Sequence, residues 1–166
     1  MKGFFVTGTD TGVGKTFVTC ALARKAREAG RKVFAFKPIE TGVTGEWGED
    51  QMALAEASGD VRRGTYRFRL AAAPRVASEA EGVEIDLDRI ASEFQSGARC
   101  AERVLVEAAG GWRVPVTRAH DTSCLARIIG LPVLVVARAG LGTINHTLLT
   151  IEAIERDGLR LGALVL

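Results

Sequence analysis

The stretch from Gly8 to Thr16 constrains the fold more than any other part of the chain. It reads GTDTGVGKT and lies between an apolar run at 3–6 and a segment with helical spacing of apolar residues. Glycines at 8, 12 and 14 allow the backbone to turn tightly and to point successive N–H groups inward, and a helix that begins here adds the positive end of its dipole. The stretch therefore predicts a phosphate-binding loop between a strand and a helix. The alternative is a glycine-rich turn with a chance Lys-Thr pair.

Two side chains at the end of this loop are candidates for nucleotide and metal contacts. Lys15 is placed to reach the β- and γ-phosphates, and the Thr16 hydroxyl to bind Mg²⁺. Mg²⁺ also prefers a carboxylate ligand. Glu107 follows the apolar run 104–106 and occupies the place of a Walker B acid, and Asp50, at a loop-to-helix junction, is a second candidate. The alternatives are a solvated glutamate at a strand end and a plain helix cap.

Apolar strand-like runs alternate with helix-like segments along the chain. We predict strands over 3–6, 33–36, 103–106, 132–137 and 161–166. We predict helices over 16–29, from 50 to near 59, over 87–98 with Asp86 as cap, over 121–129 and over 143–157. Residues 39–48 are predicted to form a loop, and a possible strand at 65–68 precedes a short helical piece after 74. This alternation predicts an α/β fold of the P-loop NTPase type, with a doubly wound, mainly parallel sheet between two helical layers. The length predicts one domain over 1–166, with 161–166 as a central strand.

Ligands of such sheets bind at the carboxyl ends of the strands. Lys37 lies at the end of the second strand, where it could face an anion, and Thr41 follows in a glycine-containing loop. Gly142 and Thr143, before the helix that begins near 143, form a second possible anion site. The alternatives are a solvated lysine, an ordinary threonine-rich loop and a simple tight turn.

Composition excludes several classes of protein. The 22 basic and 20 acidic residues nearly cancel and form no basic run with interleaved aromatics, so nucleic acid is not an expected partner. No apolar run is long enough to cross a bilayer, and no membrane association is expected. The three cysteines are isolated, which is typical of a reducing compartment, and Met1-Lys2 leads directly into the first strand. We therefore expect a cytoplasmic protein.

With these residues in place, the sequence resembles the dethiobiotin synthetase family of biotin biosynthesis. The resemblance is carried by five stretches: 6–16, KPIETG at 37–42, the helix at Asp50, VLVEAAGGW at 104–112 through Pro115, and GLGTINH at 140–146. It implies an ATP-dependent ligase that converts 7,8-diaminononanoate, CO₂ and ATP to dethiobiotin, with Mg²⁺ as cofactor.

The resemblance also implies roles for individual residues. Phosphate and nucleotide binding would fall to Gly12, Val13, Gly14, Lys15, Thr16 and Phe17, with Asp50 and Glu107. The metal ligands would be Thr16, Asp50 and Glu107. The catalytic residues would be Lys37, Lys15 and Thr11. The substrate-binding residues would be Thr41, Gly110, Gly142, Thr143 and Asn145. Because the family holds the substrate carboxylate at the corresponding helix of the neighbouring subunit, a homodimer is expected.

Two departures from the family pattern lead to further expectations. Ala108 stands where the family usually has glycine, so a requirement for a positive φ there would strain the loop. The family also continues beyond the last strand with residues that hold the nucleotide base, so we expect this chain to lack that segment.

The main alternative is a switch or partitioning ATPase of the same superfamily. Those proteins carry a second lysine early in the phosphate loop, at the position of Asp10. An acid there favours the synthetase, as does the absence of an amphipathic basic tail from this sequence. A nucleotide-binding module without catalysis is a third possibility.

Overall fold

The computed structural model of this chain describes residues 2–166, which form an α/β fold around one parallel sheet. The elements in chain order are β1 (Gly3–Gly8), α1 (Lys15–Glu28), β2 (Val33–Phe36), β3 (Ile39–Thr41), α2 (Glu49–Ser58), β4 (Tyr66–Phe68), α3 (Pro74–Glu81), α4 (Leu87–Ala98), β5 (Arg103–Gly111), α5 (Thr122–Ile129), β6 (Val133–Val136), α6 (Thr143–Arg156) and β7 (Leu161–Val165). The main sheet has the order β2-β5-β1-β6-β7, and every pairing in it is parallel. The predicted fold class is confirmed.

Helices cover both faces of this sheet. On one face, Cys20 and Ala23 of α1 and Leu54 and Ala57 of α2 pack against β2 and β5. The other face carries a larger aromatic and aliphatic cluster, to which α4, α5 and α6 contribute Ile90, Phe94, Leu125, Ala126, Ile129 and Ile154. Because both faces are covered, the inner strands β1, β5 and β6 and the edge strand β2 are apolar on both sides, which explains their continuous apolar runs.

The segment 39–48 was predicted to be a loop, and its first part is instead the short strand β3. β3 pairs in parallel with β4, in a second sheet of two strands. The rings of Tyr66 and Phe68 in β4 stack with centroids 6.2 Å apart. Three residues are too few to show a strand period, so the sequence carried no local signal for β3, whereas the possible strand at 65–68 is confirmed as β4.

Strand β5 is longer than predicted. The expected loop at 108–111 continues the strand, and pairing with β1 extends to Gly8 opposite Gly111. Glu107, expected at the strand tip, therefore lies inside the strand with none of its surface exposed. No residue other than glycine has a positive φ among the described residues, and the positive φ in this segment belongs to Gly110 (75°). Ala108 is thus accommodated without backbone strain.

The last strand, β7, was predicted to be central, and among residues 2–166 it lies at one edge of the main sheet. Its side chains alternate between partly buried and exposed. A short apolar run is compatible with either position, because it carries no information about whether another strand pairs on its far side.

Candidate active site

A cavity of about 710 Å³ lies at the carboxyl ends of β1, β2 and β5. The residues that line it are Thr11, Gly12, Gly14, Lys15, Thr16, Lys37, Glu40, Thr41, Asp50, Ala71, Ala72, Ala73, Pro74, Glu107, Ala109, Gly110 and Val114. The fold thus brings the loop after β1, both candidate carboxylates and the lysine after β2 to one place. A parallel sheet has this effect because the ends of successive strands meet at the same edge.

The loop between β1 and α1 has the geometry of an anion site. Gly12 (φ 72°) and Gly14 (φ 95°) adopt left-handed conformations that other residues rarely take. Gly14 is also the N-cap of α1, with no side-chain hydrogen bond to the first helical N–H groups. These N–H groups have no partner within the helix, so they are available to a phosphate at the positive end of the helix dipole.

Lys15 is buried beside this loop. Its Nζ atom donates a hydrogen bond to the backbone carbonyl oxygen of Asp10, 3.1 Å away. Burial and the nearby Lys37 ammonium lower the pKa of Lys15 below its usual 10.5, against the opposing effect of Glu107 and Asp50. A negatively charged group in the cavity would offset this penalty, as expected for a lysine that contacts phosphate.

Lys37 links the two candidate carboxylates. Its ammonium donates to Glu107 Oε1 at 2.8 Å and also to Asp50 Oδ2. The Thr16 hydroxyl donates to the same Glu107 oxygen at 2.8 Å. Burial by itself would lower the pKa of Lys37, but Glu107 and Asp50 outweigh burial and raise it above 10.5. Lys37 therefore carries its positive charge across the physiological pH range.

The same oxygen atoms fit a Mg²⁺ ion. Oε2 of Glu107 is buried and has no hydrogen-bond partner in the described chain, which is costly for a carboxylate unless another group binds it. Asp50, with a side chain 38% exposed, and the Thr16 hydroxyl supply further oxygen donors, the type that Mg²⁺ prefers. Residues 2–166 hold no cluster of three or more His, Cys, Asp or Glu side chains, so phosphate and water would complete the coordination.

Asp50 is not the cap of its helix, so that alternative reading was wrong. The N-cap of α2 is Gly48, and Asp50 is the second helical residue. Burial would raise the pKa of Asp50, but the charge and hydrogen bond of Lys37 outweigh this effect and hold it below 3.8. The carboxylate is therefore ionised and directed at Lys37 rather than at the helix backbone.

The remaining predicted residues around the cavity divide into two groups. Thr11, Thr41 and Gly110 line the cavity, as a role in binding substrate requires. Two residues lie outside the lining: Val13 packs against the apolar cluster of β1 and β6, and Phe17 is 78% exposed on α1. Only backbone groups of these two residues are suited to contact a nucleotide at the loop.

Gly142, Thr143 and Asn145 lie at the start of α6, outside this cavity. Gly142 has a φ of 91° and is the N-cap, so the first N–H groups of α6 have no side-chain cap. The Thr143 hydroxyl is buried and has no partner in the part of the chain described. The structure thus does not bring these residues to the Lys37 cavity of the same chain.

Sequence reasoning missed two polar side chains that join distant parts of the chain, one at the site and one outside it. Glu40 is 93% buried and accepts hydrogen bonds from the N–H groups of Asp50 and Gln51, ten and eleven residues later. Asp157 accepts from Trp112 Nε1 at 2.7 Å and from Arg113. No local pattern could identify these contacts because each joins residues that are distant in sequence.

Solved structures with a similar fold include a tyrosine kinase domain and a cell division protein. The kinase domain of Escherichia coli tyrosine kinase ETK superposes with a TM-score of 0.58 at 18% identity, over 99% of this chain and 66% of that one. The cell division protein FtsY of Thermotoga maritima superposes with a TM-score of 0.56 at 16% identity, over 98% and 51%. Fold and loop geometry together give this chain an α/β fold of the P-loop NTPase type.

Sequence comparison narrows the class. Residues 2–166 match the family described as AAA domain. The chain is 49% identical to the ATP-dependent dethiobiotin synthetase BioD of Anaeromyxobacter dehalogenans (strain 2CP-C), over all of this chain and 76% of that protein. It is 45% identical to the enzyme of that name from Aromatoleum aromaticum, over 96% of this chain and 75% of that protein. The chain belongs to the dethiobiotin synthetase family.

Proposed function

We propose that this chain is an ATP-dependent dethiobiotin synthetase, a cyclo-ligase of biotin biosynthesis. One amine of 7,8-diaminononanoate adds to CO₂ and loses a proton, which leaves a carbamate. A carbamate oxygen then attacks the γ-phosphorus of ATP, and ADP leaves. The second amine attacks the carbamate carbon, inorganic phosphate leaves with the activated oxygen, and a cyclic urea remains. Family membership supports this reaction, and the observation that carries the proposal is the Lys37 ammonium, which is bonded to Glu107 in the cavity that the phosphate loop also lines.

The loop residues would bind the triphosphate. The N–H groups from Gly12 to Phe17 would bind phosphate oxygens at the start of α1, which has no side-chain cap and where the helix dipole also favours an anion. Lys15 would contact the β- and γ-phosphates, and phosphate binding would offset the cost of burying its charge. Thr16, Asp50 and Glu107 would hold Mg²⁺. The metal would supply positive charge to the phosphate oxygens on which negative charge builds up.

Lys37 would bring two anions together. Carbamate and γ-phosphate both carry negative charge, so their approach requires a cation held in a fixed position between them. Lys37 is 6% exposed, follows directly after β2 and precedes Pro38. Burial limits the movement of its side chain, and the strand and the proline limit the conformations of its backbone. Thr11 and Thr41, which both line the cavity, would hydrogen-bond the diamine, and Gly110 would allow its close approach.

We further propose that the enzyme acts as a homodimer. Around the start of α6, Leu141 is fully exposed, Ile144 is 74% exposed and Leu148 is 54% exposed. A surface of this kind is typical of a protein contact. Contact between two copies through α6 would bring Gly142, Thr143 and Asn145 of one subunit to the other subunit's cavity, where free helix N–H groups would bind the substrate carboxylate.

Because the reaction consumes ATP, which is produced inside the cell, the proposal places the enzyme in the cytoplasm. No helix among residues 2–166 is long and apolar enough to span a bilayer.

The test is phosphate release from MgATP with and without 7,8-diaminononanoate plus bicarbonate, with dethiobiotin identified by mass spectrometry. Release that needs both substrates and disappears in Lys37→Ala is the expected result. Lys32→Ala, which removes an exposed lysine just before β2, is the matched control and should retain activity. Phosphate release that is indifferent to the diamine would overturn the proposal in favour of a switch ATPase.

A further inference from the structure

Glu40 is a buried carboxylate that belongs to none of the roles above. It lies on β3, three residues after Lys37, and only 7% of its surface is exposed. Its Oε1 accepts the backbone N–H of Asp50 at 2.9 Å, and its Oε2 accepts the N–H of Gln51 at 2.8 Å. Both oxygens are therefore bound to the first turn of α2, the turn that carries the Asp50 carboxylate.

The start of α2 has no cap of its own. Gly48 is the N-cap and supplies no side-chain acceptor for the first helical N–H groups. A Cβ atom at position 48 would overlap the Glu40 carboxylate, so glycine is needed for the carboxylate to reach the helix. Glu40 thus does from a neighbouring strand what a serine or aspartate N-cap does locally.

The helix start is tied to the Lys37 strand by a second contact. Gln51 Nε2 donates to the backbone carbonyl of Lys37 at 3.1 Å. Together with the two bonds to Glu40, this contact fixes Asp50 and Lys37 relative to each other through the backbone, independently of their own ion pair.

We propose that Glu40 is a positioning residue for magnesium, which fixes the Asp50 carboxylate through the backbone of α2. The proposal rests on the proposed function for the metal role of Asp50. Burial raises the pKa of Glu40, although the two N–H groups oppose the shift, so a charge at this position is costly to keep. A carboxylate is nevertheless suited to the position, because it accepts from two N–H groups at once, whereas a glutamine amide accepts one and opposes the other with its NH₂ group.

The test is the Mg²⁺ dependence of nucleotide binding, followed with a fluorescent ATP analogue on the whole chain. We expect Glu40→Gln to raise the Mg²⁺ concentration at half-maximal binding roughly tenfold, because one charge-assisted bond to the Asp50 turn is lost. Glu40→Asp, which keeps the charge on a shorter side chain, should give a smaller rise and provides a variant if the glutamine protein fails to fold. Binding of the analogue without Mg²⁺ should change little.

The matched control is Glu49→Gln, which removes an exposed carboxylate from the same helical turn. A rise in the Mg²⁺ requirement for the Glu40 variants but not for the control supports the proposal. An unchanged requirement, even with a lower melting temperature, would overturn it, because Glu40 would then serve stability alone. An equal rise in the control would also overturn it. If the unmodified chain shows no diamine-dependent phosphate release, the proposed function is wrong. The Mg²⁺ dependence of nucleotide binding can be measured whatever the result of that assay.

Discussion

The Nζ atom of Lys37 lies 2.8 Å from Oε1 of Glu107, a carboxylate with no exposed surface. Lys37 also contacts Asp50, the second carboxylate suited to Mg²⁺. The ammonium and the proposed metal ion therefore share the same two acids. With Mg²⁺ bound, the acids would be divided between the two cations and Lys37 would be available to contact substrate oxygen atoms, which would connect metal binding to the role proposed for the lysine.

The Lys37→Ala variant tests this shared site. Its activity should be lost, while Mg²⁺ should bind the nucleotide-free variant more tightly than the unmodified chain, because a competing cation is removed. Without Mg²⁺ the variant should lose about 3–5 kcal/mol of unfolding free energy, since a buried carboxylate is left without its partner. Titration calorimetry with Mg²⁺ and urea unfolding measure the two effects. Unchanged or weaker Mg²⁺ binding would contradict the shared site.

The α6 surface provides a test of the proposed dimer. Leu148→Asp places a charge on the exposed apolar face and should convert the protein to a monomer. Diamine-dependent activity should fall strongly, because the second subunit would no longer supply its helix start, while ATP binding should persist. Light scattering after size-exclusion chromatography gives the mass. The control is Val61→Asp, which changes an apolar residue that is 87% exposed and lies before β4. An unmodified chain that is monomeric would contradict the proposed dimer.

The cap of α5 predicts a dependence of stability on pH. Asp121 accepts from the N–H groups of Ser123 at 2.9 Å and Cys124 at 3.3 Å, and lies 3.2 Å from Arg113. Burial would raise the pKa of Asp121, but the Ser123 and Arg113 hydrogen bonds outweigh it and lower the pKa below 3.8. The native state thus binds the proton less readily than the unfolded chain, and the charge stabilises the fold above 3.8.

For this reason Asp121→Asn should be less stable than the unmodified chain at neutral pH. The difference should shrink and disappear as the pH falls through the native-state pKa of Asp121, below 3.8. Urea unfolding at a series of pH values measures it. Asp88→Asn, an exposed carboxyl in the first turn of α4, is the matched control. A stability difference for Asp121→Asn that is constant over this range would contradict the assignment.

Asp157, the C-cap of α6, predicts a purely structural effect. It accepts from Trp112 Nε1 at 2.7 Å and lies 2.9 Å from Arg113, so it ties α6 to the end of β5. Asp157→Ala should lower the unfolding free energy by about 1–3 kcal/mol, because the buried indole N–H loses its acceptor. Urea unfolding measures the change, and the exposed Glu155→Ala on the same helix is the control. Equal unfolding free energies of the two variants would show that the contact between Asp157 and Trp112 does not stabilise the fold.

Much of the fold could be predicted because its signals are local. The phosphate loop was identified from glycine spacing and a Lys-Thr pair, and Gly12 and Gly14 adopt left-handed conformations in it. The parallel sheet followed from continuous apolar runs alternating with helices, and the predicted cap Asp86 accepts the N–H groups of Asp88 and Arg89. Each of these features depends on residues within a few positions of one another.

The composition of the site was only partly predictable. Lys15, Thr16, Lys37, Asp50 and Glu107 were proposed from motif positions, and the structure places them around one cavity. Their mutual contacts were not predicted. Asp50 had been left open as a helix cap, Glu107 had been placed at a strand tip, and Glu40 was assigned no role at all.

The amino-acid sequence by itself determined the phosphate loop and the alternation of strands and helices, because backbone sterics and short-range periodicity decide them, and its motifs indicated the family. Tertiary structure alone decided that β3 pairs with β4 in a second sheet, that Glu40 caps a helix ten residues away and that Lys37 joins two acids. The physical reason is that burial and electrostatic pairing depend on distance in space, and Lys37 meets Glu107 across seventy positions of sequence only after the sheet has formed.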